Sequence, residues 1–284
     1  MFNQNIKSPV NIPVEKIHPF EGNPYKVLDN DEMNNLICSI QEQGILTPII
    51  IRPIENTDEY EVISGHRRLH ATVKAGLETV PAFIYAVTRD EAAIMLVDSN
   101  LHREHILPSE KAFAYKLKLD AIKHQGKTSM QLAQKLSVEV VGESAGESKD
   151  NVRRYIRLTY LIPELLELVD EEKIALTPAV ELSYLTDEEQ YSLLGTIEEE
   201  DRTPSLSQAV RFKKLSQAGE LSDESIETIM QEDKANQKPT VKFSVERLQK
   251  VAPKVKESDL ENFVMKACEH YYRYLLRQRD RDSR

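Results

Sequence analysis

The sequence predicts an α+β fold, a small mixed α/β domain over residues 1–105 followed by helices alone. Three observations predict it. The β-branched runs "ILTPIIIRPI", "EYEVIS" and "VPAFIYAV" lie before residue 88 and carry the turn flanks of strands. Beyond them, apolar residues recur at the three- and four-residue spacings of helices. The chain has 284 residues, where single cores rarely grow past roughly 250, and its 13 prolines fall mostly between periodic segments.

Each element has its local cause. Ile12, Val14 and Ile17 form a short strand in the proline-punctuated start. In "DNDEMNNLICSIQEQG", Met33, Leu36, Ile37 and Ile40 share one helical face, with Asp/Asn caps ahead and Gly44 as the stop. The three strands follow, with Gly65 ending the second and "HRRLHATVKAG" a short helix closed by Gly76. Helices are predicted over 88–104 and 107–126, the latter begun by Pro108-Ser109-Glu110. Two short amphipathic helices come next, one carrying Met130, Leu132, Ala133 and Leu136, the other Val152, Tyr155, Ile156 and Leu158. Between them "SVEVVGESAGES" reads as a lengthened turn. Pro163 and Pro178 each begin a helix, and "DEEQYSLLGTIEEE" is another. The organisation expected is 106–200 as an all-α domain, 201–240 as linker helices with a polar break at 234–240, and 241–284 as a helical C-terminal segment.

A net charge of −10 excludes a uniformly basic nucleic-acid coat, so cationic side chains must act where they are focused: Arg67 and Arg68, Arg153, Arg154 and Arg157, and the arginines from 273 to 284. Cys38 and Cys268 are too far apart to suggest a disulfide framework, and both are expected to be buried. No apolar run approaches the ~18 residues of a membrane span, so the expectation is a cytoplasmic protein without a membrane partner.

A glycine between strand and helix lets a ligand approach the backbone, and the first free amides of the helix present partial positive charge there. Arg67 and Arg68, behind Gly65, add forked donors matched to phosphate. The i, i+4 pair His66 and His70 has a metal-clasping spacing but no third Cys or His ligand at a supporting position; His66 reads better as a donor to phosphate or to a backbone carbonyl.

The neighbouring segments resemble the N-terminal domain of ParB-type chromosome and plasmid partition proteins. In that family G-[IL]-x-x-P, G-x-R-R-x-x-A and E-N-x-x-R motifs form a pocket for CTP with magnesium. Thr47 and Pro48 match the first motif, Gly65, Arg67, Arg68 and Ala71 the second, and Asn100, Arg103 and Glu104 the third. The resemblance implies a nucleotide site that also includes His66, with Mg2+ held by Asn100 and Asp98. His66, His70 and Ser99 stand where the family often has Glu, Arg and Glu; these departures bear on CTP hydrolysis more than on binding, and whether CTP is turned over stays open. A similar module occurs in sulfiredoxin, but the cysteine nucleophile of its G-C-H-R turn is Gly65 here.

"SKDNVRRYIRLTYL" suits the second helix of a helix-turn-helix, with polar and basic residues at its start and an apolar reverse face. Ser148 is the expected cap, and Lys149, Asn151, Arg153, Arg154 and Arg157 the expected DNA-binding residues. On the C-terminal helix Leu260, Phe263, Val264, Cys268, Tyr271, Tyr272, Leu275 and Leu276 make an apolar stripe, open to packing on its own chain or on a second copy. The resemblance further implies double-stranded DNA, a homodimer, a ParA-type ATPase and nucleoid association. A transcriptional regulator of a mobile element with a degenerate nucleotide pocket is the alternative; a nuclease ranks last, for want of a carboxylate cluster suited to two metals.

Overall fold

A computed structural model describes residues 8–101, 103, 105–125, 130–232, 248, 255 and 259–282. It divides into two units, residues 1–232 and 233–284.

The first unit opens with a five-stranded mixed sheet in the order β1-β5-β3-β4-β2. β1 (Val10–Pro13) and β2 (Ile17–His18) are the two halves of the expected first strand, separated by a 3-10 turn at Val14–Lys16. β1 is antiparallel to β5 (Thr79–Ile84), which is parallel to β3 (Ile49–Pro53). β3 is antiparallel to β4 (Tyr60–Ser64), and β4 parallel to β2. The two-residue period of a strand decides the layers. Ile49, Ile51 and Val62 enter one core with Leu69, while Ile50 and Ile63 face another core with Phe20 and Tyr25.

α1 (Asp31–Gln43) is capped by Asn30, whose side chain accepts from the Met33 amide at 3.0 Å. Its Met33 and Ile40 close on Ala71 of α2 (His66–Lys74). On the other core, Ala92, Ala93, Leu96 and Val97 of α3 (Arg89–Asn100) meet Ala114 and Ala121 of α4 (Pro108–Gln125), small residues that let the two helices approach closely.

The expected lengthened turn is helix instead. α5 runs Met130–Ala145 and α6 Lys149–Arg157, leaving residues 146–148 as the turn. Val138 and Val141, read as turn residues, are buried with Tyr115, Leu119 and Val152, and that burial outweighs the weak helix propensity of Gly142 and Ser144.

α7 (Pro163–Asp170), α8 (Leu176–Leu182), α9 (Asp187–Glu200), α10 (Leu206–Ala218) and α11 (Asp223–Gln231) complete the first unit. Pro178 lies in the first turn of α8, two residues after its start. α10 and α11 are not linker helices. Ala209, Phe212, Ile226, Ile229 and Met230 are buried in the same core as Leu165, Leu182 and Leu193. The buried Gln190 amide donates to the carbonyls of Tyr160 and Leu185 and accepts from the Ile162 amide, satisfying backbone groups at the entry to α7.

The second unit contains α12 (Leu260–Asp282). Phe263, Tyr271, Tyr272 and Cys268 are exposed on it. Cys38 is exposed too, contrary to expectation: it lies one residue, about 100° of helix rotation, beyond the inward-facing Ile37. Most of the helix expected over 243–253, the polar break at 234–240, and the side chains of Met130, Leu132, Ala133, Leu136, Leu275, Leu276 and the arginines beyond 276 lie outside what the structure describes.

A β-carbon at Gly142 would stand 2.6 Å from the Glu147 carbonyl oxygen. Alanine normally gains about 1 kcal/mol over glycine inside a helix, but overpacking against backbone costs about 1–3 kcal/mol and should prevail. Gly142→Ala is therefore expected to lower the urea midpoint of unfolding at unchanged slope.

Candidate nucleotide and nucleic-acid sites

The β4–α2 junction has the geometry of an anion cradle. Gly65 adopts φ 105° and ψ 25°, a conformation disfavoured for residues with a β-carbon. A β-carbon there would also lie 2.7 Å from Ile49 Cγ2, so both conformation and space demand glycine. Gly65 provides no side-chain cap, so the first amides of α2 and their partial positive charge are left uncapped.

Two adjacent arginines leave this turn in different directions. Arg68 Nη1 donates to the carbonyls of Thr47 and Pro48, at 2.5 and 2.8 Å, which joins the first and second motifs. Burial lowers its pKa, although a guanidinium remains charged. Arg67 instead reaches Glu32 of α1 at 3.1 Å, with both side chains largely in solvent.

His66 does not donate through Nε2. That nitrogen accepts from the Phe20 amide at 3.4 Å, which places the proton of the neutral ring on Nδ1. Burial, and secondarily the Arg103 charge, depress its pKa from 6.5 to about 4. His70 pairs with Asp29 at 2.8 Å, so the two imidazoles serve different partners. Among the described residues there is no group of three His, Cys, Asp or Glu placed to hold a metal.

The third motif arrives on the end of α3. Asn100 is buried; its amide nitrogen donates to the Leu96 carbonyl at 2.8 Å and to Ser99 Oγ at 3.2 Å, so its side-chain oxygen is the atom left for a ligand. Arg103 lies over the Tyr25 ring, 5.2 Å from its centre. Sequence reading missed Tyr25, because no local pattern signals a ring that meets a guanidinium 78 residues away. Its hydroxyl is buried without a hydrogen-bond partner among the described residues, and burial raises its pKa.

The structure thus joins Thr47 and Pro48 to Arg68 behind Gly65, and sets the charge of Arg103 to act on His66. Asn100 is tied to Arg103 through its own carbonyl, which accepts from the Arg103 amide at 3.1 Å. The structure does not bring Asp98 to Asn100: two residues apart on a helix they point about 200° apart, and Asp98 is paired with the buried Lys118, which also donates to Ser144 Oγ at 2.6 Å. Ala71 is a packing residue, fully buried against α1. Glu104 lies outside the described residues.

In the helix-turn-helix, Ser148 caps α6 by accepting from the Asn151 amide at 3.2 Å. Glu147 organises the turn, accepting from Lys111 of α4 and, at 2.6 Å, from the Asn151 side chain. Lys149 pairs with Glu139 at 3.3 Å and Arg153 with Asp150 at 3.0 Å, both on the surface. Arg154 donates to Thr177 at 2.6 Å, and Arg157 to Ser183 through Nε and Nη2. These last two are turned along α8, where they hold α6 in place, while Lys149 and Arg153 are the more exposed cations.

The ParB N-terminal domain model matches residues 3–101. A chromosome-partitioning protein, Spo0J of Thermus thermophilus, is 32% identical over 202 residues, which is 71% of this chain and 70% of that protein. The chain belongs to the ParB family. A nucleoid occlusion protein of Listeria innocua is 32% identical over 197 residues, 69% of this chain and 65% of its own length. The C-terminally truncated ParB of Caulobacter crescentus, solved with the centromeric parS site, is 21% identical, with a TM-score of 0.42 over 78% of this chain and 98% of that one. The segment matched by the ParB domain model holds Thr47 through Asn100, and so the candidate nucleotide-site residues other than Arg103 and Glu104.

His66 binds its proton more weakly folded than unfolded, so the unfolded state takes up protons first as pH falls below 6.5. Its contribution to stability is complete above that value and is lost as pH falls through the folded value of about 4. Denaturation midpoints followed from pH 7 to pH 4 should fall less steeply for His66→Gln, whose amide can still accept from Phe20, than for the parent chain.

Proposed function

We propose that this chain is a DNA-binding partition protein whose α/β domain binds CTP with Mg2+ and whose helix-turn-helix recognises a centromere-like duplex site. The joining of the first two motifs at one uncapped helix start, with Arg103 of the third acting on His66, supports the nucleotide reading. Gly65 gives phosphate access to the amides of α2, the Arg103 charge acts on His66, and the Asn100 side-chain oxygen has no hydrogen bond among the described residues. The Asn100 side-chain oxygen would hold Mg2+, which when bound would supply charge neutralisation to the phosphates. One protein oxygen fits such an ion, because magnesium keeps water and phosphate oxygens as its other ligands. Arg67 would leave Glu32 for phosphate at little cost, since exposed ion pairs contribute about 0–1 kcal/mol. Arg68 has the separate role of holding the loop at Thr47 and Pro48 against α2.

By family resemblance the protein acts in the cytoplasm on the nucleoid, as a homodimer, with a ParA-type ATPase as partner. Nucleotide binding would favour engagement of two N-terminal domains and convert a site-bound dimer into a clamp. The exposed aromatic residues of α12 support a second copy as the partner of that helix. A second reading, a regulator with a degenerate pocket, is favoured by the engagement of Arg67, Arg68 and Asp98 with protein groups.

Calorimetric titration with CTP, ATP and GTP in Mg2+ separates the two. The first reading expects selective CTP binding that weakens about tenfold in Arg67→Ala, with thermal stability unchanged because an exposed pair is lost. Binding of none of the three nucleotides would establish the second.

A further inference from the structure

The end of α6 continues into a layered arrangement of which the helix-turn-helix reading uses only Arg157. The Arg157 guanidinium lies between two rings, 4.4 Å from the centre of Tyr160 and 3.9 Å from that of Tyr184. Lys213 of α10 covers Tyr184 at 3.7 Å, and Lys116 of α4 covers Tyr160 at 5.6 Å. Three cations and two rings from separate elements thus alternate in one stack.

Three features make this stack more than an internal fastening. The rings face solvent, with Tyr160 55% and Tyr184 40% exposed, although burying them would have given a fastening more stability. The charges do not cancel: Lys213 has Glu181 at 2.8 Å, whereas Lys116 has no carboxylate partner among the described residues, and Arg157 Nη1 is free of the bonds that Nε and Nη2 make to Ser183. The stack is also continuous with α6. Lys149, Arg153, Arg157 and Tyr160 fall at i, i+4, i+8 and i+11, a gently drifting stripe on one side of the helix and its 3-10 extension. On a chain of net charge −10, a rigid group of cations with phenol donors is complementary to a polyanion.

We propose that Lys116, Arg157, Tyr160, Tyr184 and Lys213 form a second docking surface for the phosphodiester backbone of the duplex that α6 engages. This rests on the DNA-binding reading above. The Ser183 bonds and the flanking rings hold Arg157 in position before DNA arrives, so little side-chain freedom is lost on contact. The surface touches backbone only, so it adds affinity for any duplex and no preference among sequences.

The test is fluorescence anisotropy of the full chain on a random-sequence duplex, from about 50 to about 200 mM salt, for the parent, Lys116→Gln, Lys213→Gln and Lys116→Arg. Each Gln variant is expected to reduce the slope of log affinity against log salt by about 0.9, the value for one lost phosphate contact, while Lys116→Arg keeps the parental slope. Melting temperatures are expected to stay at the parental value. Parental slopes in both Gln variants would overturn the proposal, whether the stack then serves as a fastening or receives an acidic protein. So would weaker binding that tracks a lowered melting temperature at unchanged slope. Failure of the parent to bind any duplex would instead overturn the DNA reading on which the surface depends.

Discussion

The contact of Gly65 with Ile49 is the constraint on which the α/β site depends. β3 and the start of α2 approach so closely that no β-carbon fits between them. That approach brings Arg68 within reach of the Thr47 and Pro48 carbonyls and fixes the direction in which the α2 amides point. Ala71 does the same nearly two turns later, being small enough for α1 to lie on α2 and carry Glu32 to Arg67. The motif glycine and alanine therefore act by permitting proximity, and the arginines act on what that proximity supplies.

α4 extends this order into the helical part. Ser109 donates both its amide and its hydroxyl to the carboxylate of Asp170 at the end of α7. Glu110 accepts from the amides of Lys26 and Leu107, Lys111 reaches Glu147 in the helix-turn-helix turn, and Lys118 joins Asp98 of α3 to Ser144 of α5. Lys118 is only 3% exposed on its side chain, and a buried charge that loses its partner costs about 3–5 kcal/mol. Four polar residues of one helix thus fix the candidate nucleotide motif and the turn before α6 to a common support. This explains why the α/β part and the helices through α11 form one compact unit although their sequences read as separate domains.

What was legible in the sequence follows from the range of the interactions involved. The α1 stripe, the proline that begins α4, the Gly65 junction and the Ser148 cap are local, and each appears as expected. Residues 137–145 were not legible as helix, because their conformation is decided by Val138 and Val141 meeting Tyr115, a contact outside any local window. The same holds for α10 and α11, whose polar surfaces, basic on α10 and acidic on α11, suggest linker helices while Phe212 and Ile229 enter a core built by α7 to α9. Within the site, spacing identified the residues but not their partners. Glu32 lies 35 positions from Arg67, and Phe20 lies 46 positions from His66. No periodicity encodes such pairs, and they decide that His66 accepts through Nε2 and keeps Nδ1–H as its donor.

The pairing of these cations bears on the kind of ligand they can serve. Arg67, Lys149 and Arg153 each rest against a carboxylate of the same chain, so an incoming anion exchanges one ion pair for another. A monovalent anion gains almost nothing, because the exposed pair it displaces is of similar strength. A polyphosphate or a DNA backbone differs in presenting several oxyanions at fixed spacing, each able to form charge-assisted bonds stronger than the single contacts it replaces. Internal carboxylates therefore lower affinity for every anion, but they lower it least for ligands whose geometry matches several cations at once. A chain of net charge −10 can in this way remain selective for phosphate-rich ligands without a generally basic surface.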